Sequence, residues 1–152
     1  MKKTLFVVLM VVSGLASAVD VGVNGGGISG KNAGGIAGVT VGEHFGKFGV
    51  DAGLARGWQH NNTSDRWTLV GGYDVATVAG VTVTPKIGYA YLANSSTQSV
   101  NRTPSASAAL VGLGASLPVT KEIAVTADYA YQVSKNRNNE GNILTAGVKY
   151  SF

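Results

Sequence analysis

The feature that most constrains this chain is an alternation of apolar with small or polar side chains, repeated in segment after segment. The clearest segment is 47–59. Its odd positions are small or polar, and its even positions are apolar apart from Arg56: Phe48, Val50, Ala52, Leu54 and Trp58. Since successive side chains of a β-strand point to opposite faces, each such segment predicts a strand with one apolar face. Beyond residue 18 no apolar run approaches the length of a transmembrane helix.

Eight segments carry this alternation, and polar or glycine-containing stretches separate them. They are 19–29, 35–42, 47–59, 66–75, 81–92, 107–119, 123–133 and 142–152. The first two are the weakest because they are rich in glycine. The odd-numbered connections are mostly longer and more polar than the even-numbered ones, as in outer-membrane barrels with long extracellular loops and short periplasmic turns. The pattern predicts an all-β fold, an eight-stranded antiparallel up-and-down transmembrane β-barrel.

Composition and the N-terminus indicate export to a membrane. Charged residues make up 13% of the chain, about half the usual share. Lys2 and Lys3 precede an apolar run and small residues that end at Ala16 and Ala18, the layout of a signal peptide cleaved after residue 18. An uncleaved N-terminal anchor is the alternative. The prediction is a signal peptide at 1–18 and a barrel domain at 19–152, located in the outer membrane of a Gram-negative bacterium.

Aromatic residues fall at the two ends of the predicted strands. Next to the long connections lie Trp58, Trp67, Tyr89, Tyr91, Tyr129 and Tyr131, and at the other end lie Phe45, Phe48, Tyr73, Tyr150 and Phe152. Transmembrane barrels carry such girdles because amphipathic rings prefer the membrane interfaces. A secreted soluble sandwich or small barrel is the alternative, and it would need neither aromatics sorted by height nor apolar outer faces.

At this point the sequence resembles the small eight-stranded outer-membrane barrels, such as the transmembrane domain of outer-membrane protein A, OmpX, Ail and NspA. The resemblance covers 19–152 and is one of architecture, together with the C-terminal pattern Thr145-x-Gly147-x-x-Tyr150-x-Phe152. It implies that this segment is an assembly signal for the barrel-assembly machinery. It also implies contact with outer-membrane lipid and lipopolysaccharide. The loops are shorter and more polar than those of adhesive members, which argues against an adhesin.

The inward faces of the predicted strands carry charges. Counting along the strands places Asp51, Lys86 and Asp128 near mid-height and Asp20, Asp74 and Lys149 near the periplasmic end. Buried charges persist only when they are paired and hydrogen-bonded, so the pattern predicts two ionic layers that fill the lumen. A narrow ion path is the alternative. Neutralising Lys86 is expected to destabilise the barrel.

Arg56 interrupts the apolar face of 47–59 near its outer end. On the lipid-facing side it is a candidate contact for lipopolysaccharide phosphates, which guanidinium groups bind well. A bulge that turns Arg56 inward is the alternative.

The sequence offers no convergent catalytic group. There is no cysteine, His44 falls in a predicted periplasmic turn, and His60 falls in a loop without the His-x-Ser pattern of lipid A deacylases. The letters Gly25-x-Gly27-x-x-Gly30 match a dinucleotide fingerprint but lack its strand–helix context. We therefore predict a non-enzymatic protein without cofactor or metal and without nucleic-acid partners. Its role would be structural or a surface interaction through the extracellular loops with an unknown external ligand; a small-solute channel and a lipid-modifying enzyme are the alternatives.

Overall fold

The computed structural model describes residues 18–30, 33–59, 62–96, 106–134 and 140–152. Nine strands form within these ranges: β1 (Ala18–Gly30), β2 (Gly34–Phe45), β3 (Phe48–Gln59), β4 (Asn62–Tyr73), β5 (Ala76–Val78), β6 (Val81–Ser96), β7 (Ala106–Pro118), β8 (Ile123–Ser134) and β9 (Gly141–Ser151). The predicted signal peptide lies outside the described residues except for Ala18, which is the first residue of β1.

The strands close into an antiparallel barrel. Consecutive strands pair with one another except β4 and β5; β1 pairs with β9, and β4 pairs with β6. The three-residue β5 pairs with β6 alone, in line with β4, so the wall has eight strand positions. The predicted eight-stranded antiparallel barrel is confirmed. Within the described residues, the eight strands of the wall pair around the full circumference, as a chain inside a membrane requires.

Three predicted strand boundaries are wrong. β2 continues to Phe45 instead of ending at residue 42, β4 begins at Asn62 instead of Arg66, and β6 continues to Ser96 instead of ending at residue 92. In all three places the strand continues through residues that the sequence pattern reads as turn or loop. As a result only 60–61 separate β3 from β4. We call the end of the barrel that carries 60–61 and 97–105 the loop end, and the opposite one the turn end.

The turn-end connections use tight hairpins. Between β5 and β6, Ala79 and Gly80 have φ of 51° and 83°, as a two-residue type I′ turn requires. Pro85, which has no backbone N–H, lies at the break between two ladders. The β4–β6 ladder stops at the pair Gly72↔Lys86, and the β5–β6 ladder starts at Ala76↔Val83. A missing donor is tolerated there because the ladder is already interrupted.

The register fixes the size of the barrel. A circuit of paired residues that leaves β6 at Leu92 and passes through all other wall strands returns to β6 at Thr82, ten residues away. Such a stagger requires strands tilted by about 35–45° to the barrel axis. With eight strands, the interior is just wide enough to be filled by side chains.

The outward face is apolar and aromatic. Exposed outward residues include Val23, Leu69, Ile87, Leu113 and Leu144. Near the middle of β4 Trp67 lies opposite Tyr91, and at the turn end Phe48 lies opposite Tyr73. No helix among the described residues is long and apolar enough to cross a membrane.

Candidate functional site

The candidate site is the lumen, and its side chains are sorted by height. On β6 the inward residues run from Lys86 to Ala90 to Leu92, and on β8 from Asp128 to Ala130 to Gln132. Charged residues therefore lie toward the turn end, apolar residues in the middle, and buried polar residues toward the loop end. This order comes from strand parity combined with the observed register.

Asp20 is the centre of the turn-end group. It is 3% exposed, and its carboxylate lies 2.7 Å from His44 Nδ1 and 2.9 Å from Lys149 Nζ. Ser151 Oγ also donates a hydrogen bond to Asp20. Three donors from β2 and β9 thus converge on one buried carboxylate of β1, which compensates its desolvation. His44, predicted in a solvated turn, instead lies on β2 and faces the lumen.

The middle of the charged half holds a second pair. Lys86 Nζ lies 2.5 Å from Asp128 Oδ1, and the pair bridges β6 and β8 over Gly114 of the strand between them, β7. Thr84 Oγ1 donates to Asp74 Oδ1 at 2.5 Å. Asp51 has no ion pair with any described residue, although it lines the same space as Lys86. Of the six predicted lumen charges, four therefore join in ion pairs and two do not.

Two cavities occupy the charged half of the lumen. Their volumes are about 170 Å³ and about 140 Å³. Both are lined by Asp51, Lys86, Asp128 and Lys149, so they are neighbouring parts of one polar space. Each is large enough for several water molecules, and the polar lining offers them partners.

An apolar cluster lies above this space. We call it the apolar plug: Ile36, Ala90, Leu110 and Ile143, all 7% exposed or less. These residues come from β2, β6, β7 and β9, on different sides of the barrel. Ile28, Ala55, Val70 and Ala130 pack against them. Side chains from four strands of the wall thus pack together in the lumen, between the charged half and the loop end.

Buried polar residues follow between the plug and the loop end. We call this group the polar mouth: Ser64, Arg66, Gln132 and Ser134, each 6% exposed or less. Arg66 was not among the predicted lumen charges, although its even position on β4 already placed it on the inward face. Gln132 and Ser134 carry no charge and gave no signal in the sequence.

Arg56 points outward, as strand parity indicates, and it has a partner on the same face. Its Nε lies 2.7 Å and its Nη2 3.1 Å from the two carboxylate oxygens of Asp65. Asp65 lies directly opposite on β4, in a segment predicted to be loop. The guanidinium that was a candidate for lipopolysaccharide phosphate therefore already holds a carboxylate.

The C-terminal pattern divides between the two faces of β9. Thr145 and Gly147 face the lumen, whereas Tyr150 and Phe152 face outward with ring centroids 4.8 Å apart. The Phe152 N–H donates to Val19 O at 2.9 Å, across the closing seam. A Cβ at Gly147 would overlap Val23 O of β1. Close packing between β9 and β1 therefore requires a glycine at this position of the pattern.

The aromatic residues assigned to girdles all have outward exposure. Those predicted at the loop end are between 43% and 53% exposed: Trp58, Trp67, Tyr89, Tyr91, Tyr129 and Tyr131. Because β4 and β6 extend further than predicted, Trp67 and Tyr89 lie near the middles of these strands. Phe48 and Tyr73 at the turn end are equally exposed. Tyr129 Oη donates a hydrogen bond to Asn142 Oδ1 at 2.6 Å, so its polar tip is satisfied on the lipid-facing side.

The described residues contain no group of three or more His, Cys, Asp or Glu side chains that could hold a metal ion. His60 and the predicted signal-peptide residue Ala16 lie outside the described residues.

Several solved outer-membrane proteins have a fold similar to that of this chain. The N-terminal barrel of Pseudomonas aeruginosa OprF is 14% identical, with a TM-score of 0.71 over 90% of this chain and 98% of that one. Neisserial surface protein A is 17% identical, with a TM-score of 0.67 over 89% and 96%. Ail of Yersinia pestis is 13% identical, with a TM-score of 0.56 over 89% and 97%. At such identities the likeness concerns the fold alone.

A search of curated proteins found no match. The Gram-negative porin family, in contrast, matches residues 7–152, nearly the whole chain. The resemblance to small eight-stranded outer-membrane barrels is confirmed by these comparisons. The barrel has the same fold as OprF, NspA and Ail, and the chain belongs to the Gram-negative porin family.

Proposed function

We propose that this protein is a closed, non-enzymatic barrel that serves a structural or surface-interaction role in the outer membrane. The loop end would face outward and the turn end the periplasm, so that contacts with outside molecules are made at the loop end. The observation that carries the proposal is the apolar plug, which separates the polar cavities from the polar mouth. Ion pairs below the plug add a second obstruction.

The plug argues against steady ion flow for a physical reason. An ion that crosses an apolar constriction must give up its hydration shell without replacement ligands, and narrow apolar segments also lose their water. Leu110 and Ile143 reach the plug from β7 and β9, and their backbones are fixed by ladders on both sides. Opening would therefore require movement of packed side chains in several strands at once.

A small-solute channel is the second candidate, favoured by the two polar cavities that share their lining residues. Planar-bilayer recording separates the two functions. We expect the wild-type protein to show no steady conductance, because the plug interrupts the polar path. A stable ohmic conductance of the wild type would contradict the closed-barrel proposal and favour the channel.

A variant of the apolar plug tests the closed-barrel proposal further in the same planar-bilayer recording. Leu110→Ala together with Ile143→Ala removes two large side chains from the lumen and is expected to produce openings absent from the wild type. Leu113→Ala, an outward residue of the same strand that is 54% exposed, is the matched control and should stay silent. If the control and the plug variant behave alike, the seal lies elsewhere.

Absence of enzymatic activity is part of the proposal. It is supported by the position of His44, whose Nδ1 is paired with Asp20 in the turn-end lumen, away from the lipid-facing surface where a lipid-modifying enzyme must act. Mass spectrometry of lipid A from cells with and without the protein tests this point. A change in lipid A mass that depends on the protein would contradict it.

We further infer that the C-terminal segment is the assembly signal. Deleting Phe152 removes an outward ring that is 78% exposed and one hydrogen bond across the seam. We expect the amount of folded protein in the outer membrane to fall several-fold while refolding of the purified chain into detergent is nearly unchanged. Phe45→Ala, another outward aromatic at the turn end, is the control; equal insertion of the truncated and intact chains would contradict the inference.

A further inference from the structure

Arg66 is a buried cation near the loop end of the lumen. It is 5% exposed and lies on the inward face of β4, opposite Ala55 of β3 and Leu92 of β6. Leu92 is itself 3% exposed. Arg66 is therefore attached to the wall between two apolar residues, one of which, Ala55, packs against the apolar plug.

No carboxylate of the described residues lies within ion-pair distance of Arg66. The neighbouring Asp65 points to the other face of β4 and is held by Arg56. Every ionised carboxylate in the charged half of the lumen lies on the opposite side of the plug. The cation thus differs from Lys86 and Lys149, each of which has an aspartate within 3 Å.

A buried arginine without an anion is costly. Its guanidinium stays protonated under all ordinary conditions, so it cannot escape the penalty by losing its charge. Burial of an uncompensated charge is among the most unfavourable states in a folded protein. The planar fork of N–H donors matches the paired oxygens of phosphate, sulfate or a carboxylate.

The surroundings suit an anion that enters from the loop end. Ser64 lies two residues beyond Arg66 on the same inward face, and its hydroxyl offers a further donor. The connections at this end, 31–33, 60–61, 97–105 and 135–140, contain Lys31, His60, Arg102, Lys135 and Arg137 and one acidic residue, Glu140. The sequence at this end therefore supplies more cations than anions, which favours the approach of an anion.

We propose that the polar mouth is an anion-binding site in which Arg66 holds an oxyanion that enters from the loop end. The ligand class is phosphate or sulfate, either free or as an end group on a larger molecule. The apolar plug closes the site from below, so the anion is held and does not pass through. This deepens the surface role proposed above and rests on the lumen being closed; bilayer conductance tests the closure, and anion-dependent heat stability tests the site.

The test uses the full protein purified from outer membranes in a mild detergent free of lipopolysaccharide. Loss of the folded, heat-modifiable form on heating is followed in inorganic phosphate and in chloride at matched ionic strength. We expect saturating phosphate to raise the midpoint temperature of thermal unfolding of the wild type by at least about 3 °C. Arg66→Met should show no shift and should be at least as heat-stable as the wild type in chloride.

Arg56→Gln, which removes a cation from the outer surface, is the matched control and should keep the phosphate shift. Arg66→Lys keeps the charge but loses the fork, so its shift should be smaller than that of the wild type. Equal shifts in the wild type and Arg66→Met would overturn the proposal. So would a loss of several degrees by Arg66→Met in chloride, because it would mean that the cation already has an anionic partner within the chain.

A second arm identifies the source of the oxyanion. Phosphorylated and dephosphorylated lipid A are added in the same detergent. If only phosphorylated lipid A gives an Arg66-dependent shift, the anion is a lipid head group; if inorganic phosphate alone gives it, the site takes a soluble anion. The proposal fails if neither probe distinguishes the wild type from Arg66→Met.

Discussion

Replacing Gly26 by alanine is expected to prevent normal closure of the barrel, whereas the same change at Gly27 is expected to leave it folded. Gly26 pairs with Thr145 across the seam between β1 and β9. A Cβ there would overlap the backbone of Leu144 and Thr145, and backbone cannot move aside as a flexible side chain does. We expect a loss of about 3 kcal/mol or more in the free energy of unfolding, at the upper end of overpacking effects.

Gly27 is the control because it is the adjacent residue on the opposite face. A Cβ there would have its nearest contact at 3.8 Å, the carbonyl oxygen of Gly34, which is ordinary van der Waals distance. Equilibrium urea unfolding in lipid vesicles measures the two variants side by side. If Gly26→Ala is as stable as Gly27→Ala, the seam does not need a bare backbone at this position.

The same close approach explains much of the glycine content. At Gly38, Gly88 and Gly112 a Cβ would likewise meet the backbone of a neighbouring strand. These residues face the lumen, where a small barrel bends its strands most sharply and glycine relieves the crowding. The glycines that weaken the alternation of β1 and β2 in the sequence are thus part of what lets the barrel close.

Strand parity could be predicted from the sequence because it depends on local alternation alone. It assigned Lys86 and Asp128 to the lumen and Arg56 to the outer face; in the structure the first two line the polar cavity and Arg56 is exposed. Strand ends could not be predicted as well, because polar residues such as Asp65 and His44 resemble turn residues when the partner across the strand is unknown. Arg56–Asp65 and Asp20–His44 became visible only with the register.

Contacts between inward side chains of different strands could not be predicted from the sequence. Asp51 and Asp128 are both near mid-height on inward faces, and parity alone allows either to pair with Lys86. The stagger of ten residues around the barrel decides which strands face each other at a given height, and no local pattern encodes it. It also brings Ile36 and Leu110, from separate hairpins, into one apolar plug.

Replacing Lys86 by methionine is expected to lower the free energy of unfolding by about 2–4 kcal/mol, because it leaves the Asp128 carboxylate without its cation. The two side chains are 27% and 29% exposed, facing the polar cavity, so water in the cavity should keep the loss below that of a fully buried pair. Asp51, which lines the same cavity, also loses one of the two lysines that share this lining. Equilibrium urea unfolding measures the loss, and Lys121→Met in the exposed connection between β7 and β8 is the control.

Asp128→Leu and the double variant complete a thermodynamic cycle. If the cost of Lys86→Met comes from a stranded carboxylate, removing that carboxylate as well should recover most of the stability, since an apolar pair of similar size can replace a buried ion pair. Additive losses would instead mean that the two side chains act independently, and the ionic filling of the lumen would not hold. Full recovery without conductance would show further that the apolar plug, and not this ion pair, closes the barrel.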